Sequence, residues 1–381
     1  MNRPTTRNAR PVSPAFTLAE LLVVISIIVL LLAIAVPSFR NLLYSSERSL
    51  AENQLRAGIA AARDAAIQSE GGDAAAYFSF TPGGRMYITP VVYVGTISDV
   101  VRSRNGSTPY GTDQESRVER DVFAPLATSD PVQLPRGWSI RAYTPPFSVE
   151  NADLDGRHGW YENLRTQGDK GQWVFPETGF FDSQDGESGW TRQSFIVRFT
   201  SGTGELAASN RSLALVLDIA PTDDFRSGSP WSIPSYRADI ATNQVRFARR
   251  ILADRQDLDS DLTNQRRCRI IGNSSIDAVL VRPVSELGLY DERRLASALG
   301  AKGLNRVTGS LYDNDDGDPA LPAFEPRLDA ELFEGVNELQ IAQNINMWIE
   351  GRYQRDNALV ESESRIFSLQ NYLGQMQEVE P

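Results

Sequence analysis

The sequence predicts an α+β fold. A long N-terminal helix, half membrane-spanning and half amphipathic, packs on an antiparallel sheet, with a large loop-rich insertion and a helical C-terminal tail. Three observations carry this reading. Leu21 to Phe39 is a 19-residue run without a charge. From there to Glu70 apolar residues recur at helical spacing. After Gly72 the pattern turns to period two, with β-branched and aromatic runs.

The uncharged run is just long enough to cross a hydrocarbon core at roughly 1.5 Å per residue. Arg3, Arg7 and Arg10 precede it and no acid precedes Glu20, so the N-terminus stays cytoplasmic and the remainder is exported. Ala33-Ile34-Ala35 has the small-residue pattern of a secretory cleavage site. The run is long for such a signal, however, and the helical pattern continues beyond it. Pro37 lacks an N–H and its ring crowds the preceding turn, which predicts a kink or local melting there.

Within the helical continuation, Leu43, Leu50, Leu55, Ile59, Ala62 and Ala66 fall close to one stripe. Small residues crowd its second half, among them Ala57, Gly58, Ala60, Ala61 and Ala65. They are good helix formers or allow another surface to approach closely. Gly71-Gly72 supplies the stop. A helix from Phe16 to Glu70 would be roughly 80 Å long.

The flank of the apolar run is Pro11 to Ala15, then Phe16-Thr17-Leu18-Ala19-Glu20. This resembles the class III signal of type IV prepilins and type II secretion pseudopilins: a short basic leader, a small residue, then FTLxE. The resemblance implies that prepilin peptidase cuts between Ala15 and Phe16 and that the new amine of Phe16 is N-methylated. The family usually has Gly before the cut, where this chain has Ala15. Pro37 falls where the family commonly carries a helix-kinking proline. Residues 1–15 are then a leader, 16–39 the transmembrane helix and 40–70 its amphipathic continuation. Ala62-Arg63 and Ala66-Ile67 also match the helix end of the FimT/general secretion protein H branch of minor pseudopilins.

An ionised carboxylate inside a membrane helix costs about 2.5–3.5 kcal/mol and needs a partner. Cleavage would create an ammonium at Phe16, four residues before Glu20 and on the same helix face. Glu20 would pair with its own N-terminus or with that of a neighbouring subunit. The second arrangement penalises wrong offsets between stacked helices. The simpler alternative is a carboxylate reaching the cytoplasmic interface.

Beyond the helix, residues 73–310 read as a β-rich body. Strands are expected at Ala75–Phe80, Met86–Val94, Trp138–Tyr143, Ser194–Thr200, Leu213–Ile219, Gln244–Ile251 and Ala278–Arg282. The segments SFIVRFTSGTGEL, SLALVLDIA and NQVRFARRI read as an antiparallel meander. Residues 95–190, rich in Gly, Pro and Asp, read as the insertion. Leu332, Phe333, Val336, Leu339, Ile345 and Trp348 predict a helical region over 325–376.

The chemistry that the composition allows is narrow. The net charge is −11, and removing the three leader arginines takes the rest to about −14. An acidic body disfavours nucleic-acid binding. The one cysteine, Cys268, excludes an intrachain disulfide and reads as a small buried hydrophobe. With one histidine, His158, and no GxSxG elbow, hydrolase triads and zinc sites have no support. The sequence therefore predicts no enzymatic activity. NADLDGRHGWYE has EF-hand spacing: oxygen ligands at Asn151, Asp153 and Asp155, a turn at Gly156, the Arg157 carbonyl, and Glu162 closing. Asn at the first position and His158 where a hydrophobe belongs depart from the motif, and a plain Asx-turn loop fits as well. Calcium is the one candidate cofactor. The acidic clusters at Asp313–Asp318 and Asp257–Asp261 fit the motif less well. Trp160, Trp173, Trp190 and Trp231 could form a recognition surface or anchor loops to the core.

The expected function is that of a minor pilin or pseudopilin, in a type II secretion pseudopilus or a type IV pilus-like filament. The body would be periplasmic and the helix anchored in the inner membrane. Its partners would be prepilin peptidase, other pilins and the inner-membrane assembly platform. The alternative is a membrane-tethered module that binds an exported protein or a glycan.

Overall fold

Helix α1 (Leu18–Gln68) runs for 51 residues and passes through Pro37 without interruption. The computed structural model describes residues 18–69, 71–81, 84–103, 114–126, 128–144, 172–176, 178–180, 191–207, 213–217, 245, 278–313, 327–372 and 374–379. Pro37 cannot give the Ala33 carbonyl its helical hydrogen bond, yet the expected local melting does not occur. One bond is lost from a long ladder, and Ser38 Oγ donates to the Ile34 carbonyl at 3.1 Å in the next turn.

The chain divides into two units, residues 1–50 and 51–381. In the first, the apolar side chains of α1 are exposed all round, from Leu21 to Phe39 and on to Leu43 and Leu50. This is one helix long and apolar enough to span a membrane.

In the second unit the described strands are, in chain order, β1 (Ala74–Thr81), β2 (Arg85–Ser103), β3 (Gln114–Pro125), β4 (Val132–Gln133), β5 (Trp138–Thr144) and β6 (Gln172–Val174). Then come β7 (Thr178–Phe180), β8 (Thr191–Phe199), β9 (Ala214–Leu217), β10 (Ala278–Pro283) and β11 (Glu286–Asp291), followed by helix α2 (Glu292–Leu299). Two short strands, β12 (Tyr312–Asp313) and β13 (Arg327–Leu328), precede helix α3 (Glu338–Ile349). The chain ends in β14 (Gln354–Arg355), β15 (Ala358–Leu359), β16 (Arg365–Leu369) and β17 (Met376–Val379).

Strands β1, β2, β3, β9, β10 and β8 pair in that order, and β8 pairs back onto β1 (Ala76↔Val197), closing a six-stranded barrel. The pairings β3–β9 and β8–β10 are parallel. This corrects the expected antiparallel sheet and its meander: β10 inserts between β8 and β9. Alternate residues fill the interior, including Ala75, Tyr77, Val91, Phe123, Ile196, Val216 and Val281. Their spacing of two within each strand is the inward face of a closed sheet. A register shift at Tyr93/Gly95 lets the long β2 bend as the barrel closes.

A second sheet has the order β17-β16-β11-β5-β6. Helices α2 and α3 pack beside it, burying Leu287, Leu289, Leu295, Ile345, Trp348 and Phe367. The body is thus α+β, with two β layers.

Two further expectations change. The segment 95–190 is not simply an insertion: it completes β2, gives β3 to the barrel, and supplies β5 and β6 to the second sheet. The region 325–376 is not a continuous helix. Gly335, at φ +68, and the Asn337 N-cap interrupt the apolar stripe. Among the described residues there, the short 3-10 turn Ala330–Leu332 and α3 are the helical parts, and β16 and β17 follow as a hairpin. The strand expected at 244–251 lies outside the described residues apart from Val245.

Candidate functional site: the anchor helix and its seat on the body

Glu20 stands exposed in the first turn of α1. Ala15 and Phe16 lie outside the described residues, as do His158, Cys268 and the calcium-loop residues Asn151, Asp153, Asp155, Arg157 and Glu162. Among the described residues no cluster of three His, Cys, Asp or Glu side chains is placed to hold a metal. Trp173 is 2% exposed and belongs to the core.

From Ala51 onward one face of α1 is buried: Ala51, Leu55, Ile59, Ala62 and Ala66. Their spacing of three or four residues gives a single stripe. Gly58 sits on it because β2 comes close: a Cβ there would lie 2.7 Å from Ile88 Cγ2. The end of α1 is fastened by the turn after β8. Gly202 N donates to the Ala66 carbonyl at 3.0 Å, and Ser201 Oγ to the Ser69 carbonyl at 2.9 Å. These groups satisfy carbonyls that a helix end leaves open. Arg63 Nε donates to the Gly204 carbonyl at 3.3 Å. The C-terminal hairpin adds a third contact. Arg365 on β16 pairs with Glu52 of α1 and, at 2.7 Å, with Glu378 on β17.

One end of the barrel is closed by charge. Arg198 points inward, two residues after Ile196, and lies 2.7 Å from both Asp73 and Asp121. Its guanidinium stacks over Phe123 at 5.2 Å. The other oxygen of Asp73 accepts from Ser201 N at 3.1 Å, so the same turn serves both the barrel plug and the helix cap.

The second sheet holds a buried polar network. Arg141 on β5 is 1% exposed. It donates to Tyr290 Oη at 3.1 Å, to the Trp173 carbonyl at 3.0 Å, and to Tyr312 Oη. The rings of Phe175 and Tyr312, stacked on each other, lie 5.5 and 5.6 Å from it. Glu292, the first residue of α2, is buried beside it. Burial pushes its carboxyl above the usual range, opposed by the Arg141 charge, the Ser139 and Tyr290 hydroxyls and the Leu311 N–H. Burial also raises the Tyr290 phenol well above its ordinary value and raises the Asp291 carboxyl. Such a network ties β5, β6, β11 and β12 together, and every bond in it is strengthened by its low-dielectric surroundings.

The sequence reading missed Arg141, Arg198 and Glu292. A signal existed for the arginines: in WSIRAY and SFIVRF each stands inside an apolar strand run, where burial requires partners. Compared with known protein families, curated proteins and solved structures, the chain has no match.

Proposed function

We propose that this chain is a minor pilin or pseudopilin subunit. Prepilin peptidase would cut it between Ala15 and Phe16 and methylate the Phe16 amine. The helix would stand in the inner membrane, with its N-terminus cytoplasmic and its body periplasmic. Assembly with other pilins on the inner-membrane platform would build a type II secretion pseudopilus or a type IV pilus-like filament. Glu20 and the Phe16 amine would set the register, as an unpaired charge in an apolar bundle disfavours wrong offsets.

One observation carries the proposal: the unbroken α1 beginning within FTLAE. Its first part is exposed and apolar all round, and from Ala51 it offers the body a single buried stripe. A helix of this kind, followed by β structure, suits a pilin-like fold. The closed mixed barrel departs from the open antiparallel sheet expected of such a body.

That same body favours a second reading. A barrel plus a five-stranded layer with two helices exceeds what an anchor needs, which suits a tethered module that binds an exported protein or a glycan.

Intact mass and N-terminal sequencing of protein from native membranes test the proposal. A chain starting at N-methyl-Phe16 supports filament entry. A chain still starting at Met1 leaves a static anchor and overturns it. A start after Ala35 makes the protein an ordinary secreted one and overturns both readings.

A further inference from the structure

On a chain of net charge −11, most exposed cations of the second sheet's surroundings are answered locally. Arg294 pairs with Glu363 at 2.9 Å, Lys302 with Glu334 at 3.0 Å, and Arg352 with Glu350. The Arg355 guanidinium lies 2.9 Å from where a Cβ on Gly300, the C-cap of α2, would stand. There it meets the negative end of the helix. Arg136, Arg293 and Arg306 differ: each is exposed, and none forms an ion pair among the described residues.

The backbone brings the three residues onto one platform. Arg136 Nη2 lies 3.5 Å from the Cβ position of Gly309. That glycine closes the turn carrying Arg306, with its N–H on the Asn305 carbonyl at 2.9 Å. Arg293 Nε lies 4.0 Å from the Cβ position of Gly137, the neighbour of Arg136. The Glu292 N–H donates to the Gly137 carbonyl at 2.8 Å, which locks the start of α2 to the entry of β5. Among the described residues the nearby acids are Asp291, whose carboxyl feels the Arg293 charge, and Asp329. Asp291 is 8% exposed and caps α2 through the Arg293 N–H at 2.8 Å. Asp329 accepts from Asn305 Nδ2 at 3.0 Å and from the Glu331 N–H.

Three exposed cations on adjacent turns raise the local positive potential, which an anionic surface would offset. Acidic bodies of about −14 also repel each other when copies approach. A basic island on such a body gives two copies one attractive orientation among many repulsive ones. We propose that Arg136, Arg293 and Arg306 form the docking point for the acidic surface of a second copy of this chain. The inference rests on the filament reading, in which bodies must abut.

The test is sedimentation of the full-length chain in detergent micelles at about 50 and 500 mM NaCl, where screening lengths differ severalfold. The wild type should self-associate, and high salt should weaken association about tenfold. The triple variant R136E/R293E/R306E should lose association at both salt concentrations while its unfolding midpoint stays unchanged. If that variant fails to fold, the triple Gln variant replaces it and should weaken association at least about threefold. A monomeric wild type, or association untouched by these substitutions, overturns the proposal. Acidic peptide bound through the patch while the chain stays monomeric also overturns it, in favour of a foreign partner. Chains starting at N-methyl-Phe16 whose association ignores the patch would sink this inference and leave the filament reading standing. Unprocessed chains that associate through the patch would do the reverse.

Discussion

Gly58 of α1 and Ile88 of β2 stand so close that a Cβ on the glycine would lie 2.7 Å from Ile88 Cγ2. A methyl group there must displace the isoleucine, and a larger side chain must move the helix. Gly58→Ala should cost about 1 kcal/mol, and Gly58→Leu about 2–3 kcal/mol, through overpacking. Denaturant unfolding of the two variants beside the wild type checks this. Equal stability for all three would mean that helix and strand part more easily than their contact implies.

Arg198 bridges Asp73 and Asp121 at 2.7 Å each. Arg198→Ala leaves two carboxylates facing one another at the barrel end. A fully buried pair broken this way costs about 3–5 kcal/mol. Asp73 and Asp121 keep 22% and 25% of their side-chain surface, so about 2–3 kcal/mol is expected here. Arg198→Lys should recover less than half, since one ammonium cannot span both acids as the guanidinium does. Thermal melts of the three proteins decide it.

Glu292 makes stability depend on pH in a stated direction. Its carboxyl is raised by burial, so the folded chain keeps a proton that the unfolded chain has released. This stabilisation is complete below the unfolded carboxylate range, near pH 4, and is lost as pH rises through the raised folded value. Asp291 contributes in the same sense. Unfolding free energy measured from pH 4 upward should therefore fall less steeply for Glu292→Gln than for the wild type. A steeper fall in the variant would reverse the assignment and make the Arg141 charge dominant over burial.

On the filament reading, Glu20→Ala should leave membrane insertion and cleavage intact, because the apolar run and the proposed cut site are unchanged. Incorporation into filaments should drop at least about tenfold, as the charge that penalises wrong register is gone. Quantifying the subunit in sheared filament fractions measures it. Full incorporation would favour the tethered-module reading.

Much of this architecture was legible locally. The start of period two after Gly72 marked β1, and the apolar runs marked β5, β8, β9 and β10 within a few residues but only the first half of β2. Strand order was not legible, because pairing β1 with β8 joins residues far apart in sequence, and alternation says which side chains point inward but not beside which strand. Two strands were hidden by their composition. β3 begins QESRVERD, which reads as a solvated loop. β11 has Gly288 at its centre, present because a Cβ there would lie 3.1 Å from the Trp173 ring. The FTLAE stretch was plain in the sequence, whereas the buried partners of Arg141 come from three separate segments that only the fold brings together.

Closure of the barrel has a temporal cost. During synthesis β1 emerges first, yet the ring needs β10, roughly 200 residues later. At synthesis rates of about 5–20 residues per second that wait is on the order of 10–40 s. Throughout it β1 and β2 present open edges, the surfaces most prone to wrong pairing. Such a body calls for a holding chaperone during biogenesis, and its folding clock is set by translation, not by the strands themselves.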